Sequence, residues 1–500
     1  MKHKQPSPIA EDNATSRSLT IPMKRGYLFG VWLATLSGLA ALSCLRLSAA
    51  VCEFGISANH NIYNGNPRIS PEIVKQLGAT CIYLETKWAV MEPAKGTFNF
   101  SETDQQLKIC QALGLSVSLR VKTGAGFWAT GPQQHKPART MMGVITSEMP
   151  LEMSNYTDYL AAMVRHYKNV GVKQYAIQNE IDDDDQWPGT PEEYHRLLAE
   201  AHKAIKVADP TALVVDNGFS STAMENTTAR WLYEHGQKEE GYQFYRVTHS
   251  AYRDPGKATM EEFIRYMKGN IWMTRPYQFL VEKDYFKLNR DHYDCLQMHL
   301  YGHWSKTPQL LQWIQARMRE AGQEKPIVGW ESGVHLGHER FTPEQNAEEL
   351  VKKFATGAAF GLRQLMYLET AGPSPKWENI ESRFGKRSFK MGPLVEYDQG
   401  QWRLTKIGRG YAMMTHTLKG MNRMTPVTDI AGVTVYRVEL GANTRWLLWA
   451  SEQPQHVPLA KFAGVETWLD LYGNRIESKG GKLSLSASPV FGVEKGFQIP

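Results

Sequence analysis

Between Phe54 and Leu368 the chain alternates short apolar runs with longer amphipathic ones, and this alternation constrains the fold more than any other property. Eight apolar runs stand out: Phe54–Ala58, Thr80–Leu84, Ser116–Val121, Gln174–Gln178, Leu213–Asp216, Cys295–His299, Ile327–Trp330 and Gln364–Leu368. Short runs of this kind read as strands buried on both faces, which is the condition of a parallel sheet covered by helices. Helical periodicity marks Pro71–Leu77, Thr103–Leu113, Met153–Lys168, Pro191–Val207, Thr307–Ala321 and Pro343–Phe360. Pro191 and Pro343 sit in first turns, where a missing amide hydrogen is no loss. Repeated βα units predict an α/β protein, and eight of them close a (β/α)8 TIM barrel. The interval from Gly218 to Asp294 exceeds a single crossover and predicts extra helices over Ala229–Glu239 and Met260–Lys268. Lys122–Pro150 reads as a long loop after the third strand. Loops after strands gather at the C-terminal mouth of a barrel, where sites are built.

From about Gly372 the texture changes. Gly432–Leu440, Thr444–Ala450, Glu466–Asp470 and Lys482–Ser486 alternate apolar and polar residues around turns such as Tyr472-Gly473-Asn474, the pattern of antiparallel strands. The expected organisation is therefore a barrel over 51–390 and a small C-terminal antiparallel β-sandwich domain over 391–500, with Lys406–Leu418 as a bridging helix.

Residues 1–50 read differently. Tyr27–Leu45 is nineteen residues without a charge, preceded by Lys24-Arg25 and followed by Arg46 and Ser48-Ala49-Ala50. That order is a secretory signal with cleavage after Ala50, or a membrane anchor if the segment is retained. Met23 begins Met-Lys-Arg at the usual distance and is the expected translation start. The expected location is secreted or periplasmic, with membrane association through residues 27–45 as the alternative. Six of the 57 basic and two of the 51 acidic residues lie in this segment, which leaves 51 against 49 and gives no electrostatic case for nucleic acid. The remaining cysteines are widely spaced and match no metal pattern, so buried thiols and no metal are expected.

Two strand ends carry the chemistry. Tyr175-Ala176-Ile177-Gln178-Asn179-Glu180 is an apolar strand ending in Asn-Glu, and Ile327-Val328-Gly329-Trp330-Glu331 repeats the design. These are the fourth and seventh strands, and across a narrow barrel their terminal carboxylates can meet above the mouth. Retaining glycoside hydrolysis needs two such groups about 5–5.5 Å apart.

With Trp88, Glu92-Pro93, Asn179-Glu180, His299-Leu300-Tyr301 and Trp330-Glu331 in this order, the body resembles the clan of retaining (β/α)8 glycosidases. It is most similar to the beta-xylosidase/iduronidase-type family and to bacterial exopolysaccharide hydrolases. The resemblance implies Glu180 as general acid/base, Glu331 as nucleophile, Asn179 as a ligand of the substrate 2-hydroxyl and Tyr301 as a hydrogen-bond donor to Glu331. It implies a carbohydrate substrate and no cofactor. Many members of the clan carry Arg near the end of strand two, where this chain has Ile82-Tyr83-Leu84; Arg120 on strand three is the residue offered in its place.

Other positions admit two readings. His299 is a sugar ligand or a barrel-top histidine satisfied by its neighbours. Trp128, Trp304 and Trp330 follow strand ends and are expected to stack on sugar or to pack. Trp187 is expected to line the cleft. Asp182-Asp183-Asp184-Asp185 reads as a solvated loop, with a Ca2+ site or recognition of an amino sugar as sharper readings. Transglycosylation on the same site and non-catalytic glycan binding are the competing functions.

Overall fold

A computed structural model describes residues 52–57, 68–132, 135, 145–252, 259–334, 341–371, 392–451 and 453–499. The apolar stretch 27–45 and the expected domain boundary near 390 lie outside these residues. Among the described residues, no helix is long and apolar enough to cross a membrane.

Eight parallel strands form one sheet: β1 Glu53–Ser57, β2 Cys81–Lys87, β3 Ser116–Lys122, β4 Gln174–Ile177, β5 Leu213–Val215, β6 Leu296–Leu300, β7 Ile327–Ser332 and β8 Leu362–Tyr367. Their spatial order is β5-β4-β3-β2-β1-β8-β7-β6. Parallel bridges from Val215 to Cys295 and from Phe219 to Met298 join β5 to β6 and close the ring. The helices between them are α1 Pro71–Leu77, α2 Ser101–Ala112, α3 Met153–Tyr167, α4 Pro191–Ala208 and α5 Ser221–Glu234. Beyond these come α6 Lys238–Tyr252, α7 Met260–Gly269, α8 Ile271–Tyr277, α9 Thr307–Glu320 and α10 Pro343–Ala359.

Local chemistry explains the helix starts. Thr190 and Thr342 each cap a helix reciprocally with the Glu193 or Gln345 side chain three residues on, directly ahead of Pro191 and Pro343. The helix expected over Ala229–Glu239 is two helices, α5 and α6. The break falls at Gly236, whose φ of 90° lies in a region a helix cannot use.

The C-terminal part carries a hairpin, β9 Val395–Asp398 with β10 Gln401–Leu404, and then α11 Lys406–Leu418. Next is an antiparallel sheet of β11 Arg423–Val427, β12 Val433–Leu440, β13 Asn443–Ala450, β15 Thr467–Leu469 and β17 Val490–Val493. A two-stranded sheet of β14 Gln455–Pro458 and β16 Lys482–Leu485 accompanies it. The two faces of the larger sheet are both buried. Val435, Trp446, Leu448 and Trp468 share a cluster with Val457, Leu483 and Leu485 of the smaller sheet, which makes the sandwich. Tyr436, Val438, Leu447 and Trp449 face the barrel's own core cluster, and the Tyr436 hydroxyl lies 3.0 Å from Thr356 on α10. Helix α11 packs against α10 and α1 on the outside of the barrel: the Tyr411 hydroxyl donates to Gly55 O of β1 at 2.9 Å and Thr415 to Leu77 O at the end of α1 at 2.6 Å.

Candidate active site

Cys81, Tyr83, Ala176, Val215, Cys295, Val328, Trp330 and Met366 form an apolar plug inside the barrel. At the strand ends above it the side chains become polar. Tyr83 is the hinge between these layers. Its ring stacks on Trp330 with centroids 5.9 Å apart, and the Arg120 guanidinium lies 4.3 Å from its centroid on a cation–π contact. Arg120 is thus supported by packing before it meets any carboxylate.

Glu331 collects this support. Arg120 Nη1 forms a short ion pair with its Oε1, the Tyr83 hydroxyl donates to the same oxygen at 3.1 Å, and the Tyr301 hydroxyl donates to Oε2 at 2.9 Å. The sequence places Trp330 and Glu331 side by side on β7, where alternation should send them to opposite faces. The strand's register against β8 shifts between Gly329 and Ser332, and such irregularities re-aim a side chain. Burial alone opposes ionisation of Glu331. His299 and Arg120, with the hydrogen bonds from Arg120 and Tyr301, outweigh it and hold the carboxyl well below the usual carboxylate range.

Glu180 stands opposite. Its φ of 40° and the φ of 72° at Gln178 are left-handed values that non-glycine residues seldom adopt, and they turn the chain sharply as it leaves β4. The Glu180 amide points to Asn217 O and Gly218 O, at 3.3 and 3.2 Å, so the turn after β5 holds it. Asn217-Gly218 is more than a turn between elements.

His299 joins the two carboxylates. Its Nδ1 lies 2.7 Å from Glu180 Oε1 and 3.4 Å from Glu331 Oε2, and its Nε2 lies 3.4 Å from Arg120 Nη2. Oxygens of Glu180 and Glu331 and a nitrogen of His299 all lie within 4.8 Å of one another. The Arg120 guanidinium in contact with the other oxygen of Glu331 electrostatically opposes a divalent cation in this triangle.

The structure brings together Glu180, Glu331, His299 and Tyr301, with Asn179 beside them. Asn179 is 6% exposed, and among the described residues its Oδ1 has no partner. His299 has no exposed surface, which rules out the sugar-ligand reading and leaves the histidine satisfied by its neighbours. Trp330 is also fully buried: it packs on Tyr83 and donates Nε1 to Gln364 at 3.0 Å, so no face remains for a sugar. Trp187 is fully buried too and lines no cleft. Trp128 is half-buried among Trp88 and Phe127 and donates to Glu92 O at 2.7 Å. Trp304 is half-buried and meets Trp449 edge-on at 5.2 Å, which ties the barrel to the β-sandwich. Tyr83 was missed by sequence reasoning. Its signal was a tyrosine at an inward position of β2, where an apolar residue fills a barrel.

The acidic loop is not solvated. Asp182, Asp183 and Asp185 are all buried. Asp182 accepts from the Ser220 amide and hydroxyl, and Asp183 accepts from the Asp185 amide. Burial first, and then the Glu180 charge, push Asp183 up to about 8 and Asp182 to about 6. A cavity of about 760 Å3 lies beside this loop, lined by Asp184, Arg230, Tyr233, Lys268, Arg275 and Gln278 and by neither Glu180 nor Glu331.

No protein-family model matches the chain, and no curated protein matches its sequence. Solved structures do match. A family 39 glycoside hydrolase from the gut symbiont Bacteroides cellulosilyticus WH2 aligns with a TM-score of 0.58 at 14% identity, covering 89% of this chain and 81% of its own. A conserved exported protein from Bacteroides fragilis aligns at 0.55 and 11% identity, over 89% and 97% of the two chains. A glucosidase from Croceicoccus marinus aligns at 0.52 and 12%, over 89% and 95%. At these identities the likeness is one of architecture: the chain has the barrel-plus-β-sandwich fold that clan A glycoside hydrolases also use.

Proposed function

We propose that the protein is an exported retaining glycoside hydrolase acting on a β-linked oligo- or polysaccharide. The observation that carries this reading is the approach of Glu180 and Glu331, with oxygens within 4.8 Å, when one of the pair is held ionised by an arginine and two tyrosines. A separation of that order fits double displacement and leaves no room for the water that inversion needs.

In this reading Glu331 attacks the anomeric carbon while Glu180 gives its proton to the departing glycosidic oxygen, forming a glycosyl ester on Glu331. Glu180 then takes a proton from water, whose oxygen displaces Glu331 and restores both groups. Asn179, next to Glu180 and 6% exposed, is the residue proposed to bind the sugar 2-hydroxyl. No cofactor enters. Strand two lacks the arginine, and Arg120 supplies a guanidinium to Glu331 from β3. Export rests on residues 24–50, and a bacterial exopolysaccharide is the substrate class proposed. N-terminal sequencing of the native protein checks whether residues 1–50 are removed.

The test is incubation with activated 2-fluoro β-glycosides of several sugars, followed by peptide mass spectrometry. A glycosyl adduct on Glu331, absent in Glu331→Gln, is expected and names the sugar. Turnover of a β-glycan with inverted product stereochemistry would overturn the retaining assignment.

A further inference from the structure

The loop that follows Glu180 is held from three sides. On one, Lys122 at the end of β3 donates Nζ to Thr146 Oγ1 and Gln186 Oε1, both at 2.8 Å. On the second, Ser220 binds Asp182 with its amide and hydroxyl, at 3.0 and 2.6 Å. The third side comes from the excursion between β5 and β6. Arg275, on α8, brings Nη2 within 3.3 Å of Ile181 O, 2.6 Å of Trp187 O and 3.1 Å of Gly189 O, and its Nε lies 3.0 Å from Asp184 Oδ1. Its guanidinium also lies 4.9 Å from the centre of the Phe279 ring.

This concentration of donors has a physical reason. Gln178 and Glu180 both hold left-handed backbone conformations, which persist only where the surroundings over-determine them. Ile181 O belongs to the Ile181–Asp182 peptide, one unit beyond the Glu180–Ile181 peptide, so a bond to it restrains the chain as it leaves Glu180. The barrel strands cannot supply that bond, because β4 ends at Ile177.

We infer that Arg275 is a positioning residue for Glu180: the excursion helix clamps the strained turn so that the carboxyl keeps its place as proton donor. This rests on the acid/base role proposed above. Arg275 touches the backbone and not the substrate, so its loss should impair proton delivery and leave nucleophilic attack by Glu331 intact.

Leaving-group dependence separates those two steps. A 2,4-dinitrophenolate departs without protonation, whereas an unsubstituted phenolate needs the acid, and kcat/KM reports the steps up to that departure. The full mature protein and its Arg275→Met and Arg275→Lys variants are assayed on phenyl and 2,4-dinitrophenyl β-glycosides of glucose, xylose, galactose and mannose, with Glu180→Ala as the benchmark. Arg275→Met is expected to lose roughly 100-fold on the phenyl glycoside, the scale of a 1 Å misplacement, and less than about 3-fold on the dinitrophenyl one. Arg275→Lys is expected to lie between, since an ammonium at the position of Nη2 can meet the carbonyls but gives up the Nε contact with Asp184. Equal losses on both substrates, or none, in a folded variant overturn the positioning role. If Arg275→Met does not fold, the same comparison on Arg275→Lys decides. Wild-type protein inert towards all of these glycosides, and unlabelled by the 2-fluoro sugars, would remove the hydrolase reading and the inference with it; active wild-type protein with no selectivity in the variants removes the inference alone.

Discussion

Arg120 on β3 and Glu331 on β7 form an ion pair between strands that are not neighbours in the sheet, so the contact crosses the barrel mouth. The guanidinium side chain is 2% exposed and the carboxylate 12%. A buried arginine of this kind is tolerable because it is paired, hydrogen-bonded and laid over the Tyr83 ring, and it keeps the largely buried Glu331 carboxyl charged.

Removing that partner should be felt in both activity and stability. The Glu331 carboxyl is held well below its ordinary 4.5, so the stability linked to its ionised form is present above that pH and is lost as the pH falls through the depressed value. Arg120→Met raises the folded value. The acid limb of kcat/KM and the acid unfolding midpoint should both move to higher pH, with a loss of about 3–5 kcal/mol at neutral pH. Paired pH–rate and pH–melting curves check this, and an unmoved acid limb would show that Arg120 does not set the ionisation.

Tyr83 and Tyr301 each donate one hydrogen bond to Glu331. A bond to a charged acceptor contributes about 1.5–3 kcal/mol, so Tyr83→Phe and Tyr301→Phe should each lower kcat/KM by about 10- to 100-fold. Steady-state rates on one aryl glycoside compare them directly. A silent Tyr83→Phe would mean that Tyr83 serves only to stack beneath Arg120.

Gly218 has a φ of 70°, and a Cβ there would overlap the Gln297 amide and lie 2.8 Å from His299 Nε2. Gly218→Ala should displace His299 and disturb the turn that accepts the Glu180 amide. Activity is expected to fall at least about 10-fold, beside a stability loss of about 1–3 kcal/mol from backbone strain. Thermal melting with kinetics on the same sample checks it; wild-type activity in the variant would contradict the rigid seating of His299.

Asp216 is fully buried below the site, where it accepts from the Gln297 amide and from the Tyr285 hydroxyl at 3.0 Å. Burial pushes its carboxyl up to about 7, against hydrogen bonds that favour the charged form. The native state therefore keeps a proton that the unfolded chain releases near 3.8, so this contribution is complete at low pH and drains away as the pH rises to about 7. Asp216→Asn should flatten that slope, making the variant relatively more stable at pH 8 than at pH 5 by a few kcal/mol, at about 1.4 kcal/mol per unit of pKa difference. Chemical denaturation at the two pH values is the measurement.

The sequence by itself determined the barrel and its two facing glutamates. Strand and helix periods, proline at first turns and an apolar run ending in a carboxylate are local signals, so β4, β7 and their terminal Glu180 and Glu331 could be read directly. The sandwich was readable only where alternation was clear, over β12, β13, β15 and β16. The hairpin of β9 and β10 and strands β11, β14 and β17 had too little local pattern and depend on partners far along the chain. Beyond Tyr301 and Arg120, which the resemblance suggested, tertiary structure alone decided what supports the carboxylates. Tyr83, Arg120, His299 and Arg275 come from four separate segments, and no spacing in the chain encodes a contact that exists only once the barrel closes. The tryptophans make the same point in reverse: following a strand end suggested exposure at the mouth, but Trp330 alternates inward with Val328 and packs against Tyr83, and the register shift in β7 brings Glu331 to the mouth instead.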